Sequence, residues 1–181
     1  MILQRFATVE EAAQALALQV VKALQGGLAY RSAASLAVPG GRTPVPLFHV
    51  LRDADLDWTH VGLTLTDERR VAADHEASNA ALVRRELLQG RAAAAQFVPL
   101  HDGGASTDAA LECVWQSLMS LPRPFDAVVL GMGDDGHFAS LFPQSPALSA
   151  ALDPVAPPGC VANSGSRSSL RRRRAPRSTA R

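Results

Sequence analysis

The sequence lacks the features that mark several classes of protein. No apolar run reaches the roughly 18 to 20 residues that a membrane-spanning helix needs, and residues 1–15 lack the pattern of a signal peptide. The two cysteines, Cys113 and Cys160, form no CxxC pair, and no spacing typical of a metal site occurs. The Gly-x-Ser-x-Gly elbow of serine hydrolases is also missing. These absences predict a reduced cytoplasmic protein that does not contact membranes.

Acidic side chains are absent from the last 19 residues, which carry seven arginines. Residues 1–162 hold all 17 acidic groups and 11 of the 18 basic ones, so this part of the chain is net negative. The composition, 47% apolar and 19% charged, is typical of one globular domain. Leu170 is the one large apolar residue of the tail. We therefore predict a domain over residues 1–162 and a disordered, arginine-rich tail over 163–181.

Helical and strand-like patterns alternate along the domain. The apolar spacing predicts helices over 9–24, 44–51, 78–88 and 107–121 and strands over 33–38, 61–66, 96–100 and 126–130. Gly26 and Gly27 are expected to end the first helix, and Thr43 is expected to cap the second. The alternation predicts an α/β fold with a mainly parallel sheet.

Three polar or glycine-rich loops follow predicted strands, at 39–43, 67–70 and 131–137. Ligands of open parallel sheets bind beyond the carboxyl ends of the strands, so these loops predict one shared site. In the first loop, Gly40 and Gly41 allow a ligand to approach the backbone, while Arg42 and Thr43 are candidate partners of a phosphate group. An ordinary strand-to-helix turn explains the same residues.

The charged cluster after the second strand has two interpretations. An arginine there can pair with a substrate oxygen while Asp67 or Glu68 orients it. A solvated cluster of surface charges explains these residues as well.

The segment from Gly131 to Gly136 matches the GxGxxG pattern of dinucleotide-binding proteins. We reject that interpretation, because Asp134 and Asp135 would place two carboxylates where a pyrophosphate should lie. The loop also comes late in the chain, whereas the dinucleotide pattern occupies the first βα turn. Asp135 instead stands two residues before His137, where a carboxylate can orient a histidine that activates water.

The three loops together resemble the 6-phosphogluconolactonase family. The resemblance rests on 40–44, on 67–69 with Ser78 and Asn79 behind them, and on 125–143, and it covers roughly 1–162. It implies a three-layer αβα fold with a Rossmann-like sheet. It also implies hydrolysis of 6-phosphogluconolactone to 6-phosphogluconate in the pentose phosphate pathway, on a small sugar-phosphate substrate, without a metal or organic cofactor.

The resemblance also implies residue roles. His137 corresponds to the general base, Asp135 to its orienting carboxylate, and Arg69 to a group that holds developing negative charge. The loop of Gly40, Gly41, Arg42 and Thr43 corresponds to the binding site of the 6-phosphate. Asp67 and Asn79 complete the implied substrate-binding set.

A related family is the alternative enzyme class. Glucosamine-6-phosphate deaminases share a similar Asp-Gly-His loop but continue into an Asn-Glu pair, whereas this chain has Leu141, Phe142 and Pro143. Phe138 stands where threonine is common in lactonases. We favour the lactonase interpretation, because the Asn-Glu pair of the deaminases is absent from this loop.

The C-terminal region departs from the family pattern. Family members continue past 157–160 with further strands and a helix, which supply core and a basic residue for the phosphate. We interpret the arginine-rich tail as the product of a reading-frame shift near residue 162, which leaves the C-terminal part of the fold missing and activity open. Binding of nucleic acid by the tail is the other interpretation. The absence of aromatic side chains from the tail and the acidic body weigh against it.

Overall fold

The computed structural model describes residues 2–101, 108–146, 148–153, 155, 158–162 and 167–172. Its helices are α1 (Val9–Arg31), α2 (Val45–Leu51), α3 (Asn79–Glu86), α4 (Asp108–Leu118) and α5 (Leu148–Ala151). Its strands are β1 (Ala34–Val38), β2 (Val61–Leu65), β3 (Asp67–Arg69), β4 (Gln96–Val98), β5 (Ala127–Val128), β6 (Pro158–Ala162) and β7 (Arg167–Arg172).

The central sheet is parallel, with the strand order β4-β2-β1-β5. Helices flank this sheet, so the predicted three-layer α/β architecture is confirmed. The chain moves from β1 through β2 to β4 at one edge and then returns to place β5 on the other side of β1. The direction of winding therefore reverses at β1 and β5, and a crevice forms beyond the carboxyl ends of such a pair.

The core lies against β1 and β2, whose residues are buried along their whole length. Strands covered on both faces are mainly apolar, which explains why their sequences read as short apolar runs. Leu36 and Leu63 are fully buried neighbours on these strands, and Phe48 of α2 packs into the same cluster. The hydroxyl group of Thr64 is accommodated because it donates to the carbonyl oxygen of Val98 at 2.7 Å.

Helix α1 ends later than the sequence predicts. It continues through Gly26 and Gly27 to Arg31 and ends at Ser32, which has a left-handed φ of 58°. The expectation that the glycines stop the helix is wrong, because Gly27 instead allows the side chain of Asp126 to lie close to the helix backbone. A Cβ atom there would collide with the carboxylate of Asp126.

The Asp126 carboxylate is held firmly at this contact. Nη2 of Arg31 lies 2.6 Å from each of its oxygens, and the backbone N–H of Ser35 donates to Oδ2 at 2.8 Å. The last turn of α1 is therefore fastened to the segment that enters β5.

Two further boundaries differ from the sequence expectation. Helix α2 begins at Val45 with Pro44 as its N-cap, so Thr43 is not the cap residue. The strand predicted over 126–130 is reduced to Ala127–Val128, and Val128 is 52% exposed. Within the described residues β5 pairs with β1 alone, so it lies at an edge of the sheet. A run of apolar residues does not distinguish an edge strand from a central one.

A second, antiparallel sheet has the order β3-β7-β6. Strand β7 lies inside the segment that the sequence predicts to be disordered, and the structure differs from the prediction over Arg167–Arg172. The prediction weighed apolar side chains, whereas strand pairing uses backbone groups that every non-proline residue carries. The tail residues 163–166 and 173–181 lie outside the described residues, as does the predicted helix start at Thr107. None of the described helices is long and apolar enough to cross a membrane.

The adjacent glycines of α1 provide a matched pair of substitutions. Gly26→Ala is expected to raise the free energy of unfolding by about 0.5–1 kcal/mol, because alanine favours the helix and the position is open. Gly27→Ala is expected to lower it by about 1–3 kcal/mol, because the new methyl group displaces Asp126. Urea denaturation of both variants measures the difference. Equal effects of the two changes would contradict the packing role of Gly27.

Candidate active site

The three predicted loops meet at a cavity of about 230 Å³ beyond the carboxyl ends of β1, β2 and β5. Seven of the nine predicted site residues line it: Gly40, Gly41, Thr43, Asp67, Arg69, Asn79 and His137. The wall also contains Pro39, Pro44, Gly131, Met132, Gly133 and Ala139. Arg42 and Asp135 are absent from the wall. Arg42 is exposed, and Asp135 acts on the site through His137.

A tight turn presents His137 to the cavity. The backbone N–H of Gly133 donates to the carbonyl oxygen of His137 at 2.8 Å, and the N–H of Gly136 donates to Gly133 at 2.9 Å. Gly136 has a φ of +83°, in the left-handed region that favours glycine. The turn folds the His137 ring over Gly133, where a Cβ atom would collide with the ring.

Asp135 fixes the orientation of the imidazole ring. Its Oδ1 lies 2.5 Å from Nδ1 of His137 and also accepts the backbone N–H of His137 at 3.1 Å. The hydrogen bond from the His137 side chain, followed by the one from its backbone, lowers the pKa of Asp135 below its ordinary value. A proton on Nδ1 facing the carboxylate leaves Nε2 as the basic nitrogen of the neutral ring.

Phe142 makes a second contact with the histidine, which the sequence analysis missed. The centroids of the Phe142 and His137 rings are 4.5 Å apart, with a tilt of 30° between the planes. The His137 side chain is 27% exposed, so it is packed on one side and open to the cavity on another. The sequence signals for this contact are the aromatic side chain of Phe142 and its position five residues after His137.

Arg69 lines the same cavity as His137. Its Nη1 donates to the carbonyl oxygen of Ala77 at 3.0 Å, which fixes one arm of the guanidinium group. Its Nε atom is buried and has no hydrogen-bond partner among the described residues. A buried donor without an acceptor costs free energy, so an anionic group that reaches it would be favoured.

Asp67 and Asn79 connect the loops. Nδ2 of Asn79 donates to the carbonyl oxygen of Asp67 at 2.9 Å. The fully buried Ser140 donates from Oγ to Oδ2 of Asp67 at 2.7 Å, which ties the histidine loop to the segment after β2. No local pattern predicts the role of Ser140, because it lies 73 residues from Asp67 along the chain. Gly40 completes the arrangement, since a Cβ atom there would collide with the amide group of Asn79.

The described part of the chain contains no group of three or more His, Cys, Asp or Glu side chains that could hold a metal ion.

The chain is an α/β protein with a cavity where the direction of winding reverses, and several solved structures share this fold. The chain is similar to a 6-phosphogluconolactonase structure from Shewanella baltica OS155, with a TM-score of 0.85 and 43% identity over 92% of this chain and 72% of that one. A monomeric glucosamine-6-phosphate deaminase has a TM-score of 0.71 over 96% of this chain and 76% of its own, at 16% identity, which shows a shared fold alone.

Sequence relatives narrow the assignment. The chain is 46% identical to a 6-phosphogluconolactonase of Pseudomonas aeruginosa over 159 residues, or 88% of this chain and 67% of that protein. The model of the family described as glucosamine-6-phosphate isomerases/6-phosphogluconolactonase matches residues 7–173. The chain therefore belongs to this family, and the match extends past residue 162, where the sequence analysis ended the resemblance. It spans between 60% and 67% of the length of the curated relatives compared.

The contact between Gly133 and the histidine ring can be tested directly. Gly133→Ala is expected to displace the His137 ring from Asp135 and to shift the NMR signals of its imidazole group, because the methyl group needs the space that the ring occupies. Gly131→Ala on the same loop meets no atom within 4 Å and is expected to have a much smaller effect. Heteronuclear NMR spectra of the imidazole groups of both variants measure the difference. Equal effects of the two substitutions would refute the assigned contact.

Proposed function

We propose that the chain hydrolyses 6-phosphogluconolactone to 6-phosphogluconate, a step of the pentose phosphate pathway. Membership of the family and the 46% identity to a protein named 6-phosphogluconolactonase support this proposal. The observation that carries it is the pairing of His137 with Asp135 at a cavity that Arg69 also lines. A base and a cation on the wall of one cavity suit the addition of water to a carbonyl group.

In the proposed reaction, Nε2 of His137 takes a proton from a water molecule as its oxygen attacks the lactone carbonyl. The carbonyl oxygen becomes an oxyanion, which the guanidinium group of Arg69 stabilises. The bond between the carbonyl carbon and the ring oxygen then breaks, and His137 returns its proton to the leaving ring oxygen. Ring opening yields a carboxylic acid that ionises in water. Asp135 keeps the imidazole in the productive tautomer and stabilises the imidazolium form between the two steps.

The remaining wall residues are proposed to bind the substrate. The backbone of Gly40 and Gly41 and the hydroxyl group of Thr43 would bind the phosphate group, with the exposed Arg42 as an additional cation. Asp67 and Asn79 line the same cavity and would bind the sugar hydroxyl groups. The proposed complex would then hold the phosphate group at the first loop and the lactone near His137 and Arg69.

The general-base role predicts a selective loss of activity. His137→Ala is expected to lower kcat on freshly prepared lactone by about 100-fold or more, because the water loses its proton acceptor. His60→Ala is the matched control, since His60 is exposed and precedes β2 at the end of the sheet away from the cavity. Continuous titration of the released acid measures both rates. Wild-type kcat in the His137→Ala variant would exclude His137 as the base, and absence of hydrolysis by the wild-type chain would refute the proposed function.

The carboxylate of Asp135 is expected to raise the rate of the proposed reaction. The hydrogen bonds from His137 hold the pKa of Asp135 below its ordinary value, so this carboxylate is ionised at neutral pH. Asp135→Asn is expected to lower kcat at about pH 7 at least about tenfold, because an amide stabilises the imidazolium form less well. Continuous titration of the released acid measures the rate, and wild-type kcat in Asp135→Asn would contradict this account.

A further inference from the structure

Glu68 lies between two residues of the cavity wall but is not part of the wall. Side chains alternate along a strand, so Asp67 and Arg69 of β3 reach the cavity while Glu68 points away from it. Glu68 is 1% exposed, and a carboxylate in such a position needs hydrogen bonds to remain there. The structure supplies them from the start of α3.

Four donors converge on the Glu68 carboxylate. Oε1 accepts the backbone N–H groups of Arg69 and Asn79, each at 2.7 Å. Oε2 accepts the backbone N–H of Ala80 at 2.7 Å and the hydroxyl group of Ser78 at 3.2 Å. An ionised carboxylate offers about four lone-pair positions, so these donors use its full capacity.

The same carboxylate caps helix α3. The first N–H groups of a helix have no acceptor within the helix, and a negative charge near them is favourable. Glu68 accepts from the first two residues of α3, Asn79 and Ala80, while Oγ of Ser78 accepts from Ala81 at 3.1 Å. One side chain therefore joins β3 to the first turn of α3.

This junction fixes the residues that face the proposed substrate. Two of the four bonded groups belong to Arg69 and Asn79, whose side chains line the cavity. Asn79 in turn donates to the backbone of Asp67, and Arg69 donates to Ala77, which adjoins the helix cap. The spacing of Arg69, Asp67 and Asn79 thus depends on the Glu68 carboxylate, which does not itself line the cavity.

We propose that Glu68 is a positioning residue for lactone hydrolysis. It holds Arg69 and Asn79 in a fixed relation and contacts neither the substrate nor the reacting atoms. The reaction in this inference rests on the proposed function, whereas the positioning role of Glu68 rests on its hydrogen bonds alone. Glu68→Gln tests it, because the amide keeps the shape of the side chain while turning one acceptor oxygen into a donor that faces other donors.

The test compares Glu68→Gln with Glu76→Gln in the full chain. Glu76 is exposed and lies on the same connection to α3, so the control makes the same change of charge. Glu68→Gln is expected to lower kcat/KM on the lactone at least about tenfold, mainly through kcat, because Arg69 no longer meets the oxyanion in register. Glu76→Gln is expected to match the wild type. A kcat/KM of Glu68→Gln within about threefold of the wild type would overturn the proposal.

A double-mutant cycle separates positioning from loss of stability. In an Arg69→Ala background, Glu68→Gln is expected to lower kcat/KM by less than about threefold further, because the group that it positions is already gone. An undiminished effect in that background would overturn the proposal. If Glu68→Gln does not fold, Ser78→Ala decides the question, since it removes one donor to the carboxylate, together with the cap of Ala81, and leaves the carboxylate in place. Its kcat/KM is expected to fall, and an unchanged value would overturn the proposal.

Binding of 6-phosphogluconate, measured by isothermal titration calorimetry, distinguishes this inference from the proposed reaction. A wild-type chain that binds 6-phosphogluconate without hydrolysing the lactone would refute the reaction. In that case, affinity lowered by Glu68→Gln and unchanged by Glu76→Gln would support a positioning role in binding, and equal affinities would overturn it. A chain that neither binds nor hydrolyses would refute both.

Discussion

The parallel pairing of β1 with both of its neighbours is the constraint on which the site depends. Val38 is in register with Leu65 at the end of β2, and Ala37 is in register with Val128 of β5. Because all three strands run in the same direction, the loops that leave them emerge at one edge of the sheet. The loops begin near residues 39, 66 and 131, so groups far apart in sequence become neighbours. The buried, apolar β1 and β2 supply the rigid base for this meeting.

Glycine then allows these loops to approach one another closely. Gly40 leaves room for the amide group of Asn79, and Gly133 leaves room for the ring of His137. From the sequence, the glycines of the first loop are expected to let a ligand approach the backbone. At Gly40 the neighbour is a side chain of the protein itself, so the glycine packs the site before any substrate arrives. Preorganisation of this kind lets binding energy act on the reacting groups and spares the cost of ordering the loop.

Local patterns predict the parts of the molecule that local forces determine. The positions of β1 and β2 follow from short, mainly apolar runs, and the turn at Gly136 follows from its glycine. The late end of α1 does not, because it depends on the contact of Gly27 with Asp126, 99 residues away along the chain. The link from Ser140 to Asp67 and the pairing of β7 with β3 escape prediction for the same reason. They arise from partners that only the folded chain brings together.

The pair of Asp135 and His137 illustrates how hydrogen-bond geometry and solvent exposure both affect a proposed active site. The Asp135 side chain is 57% exposed, so water screens its charge in the free protein and the hydrogen bond chiefly sets the orientation of the ring. In the proposed reaction the imidazole becomes an imidazolium beside this carboxylate. The new positive charge strengthens the attraction between the two groups. In the proposed reaction the pair would therefore stabilise the transition state more than the free enzyme, which is the condition that an interaction must meet to accelerate a reaction.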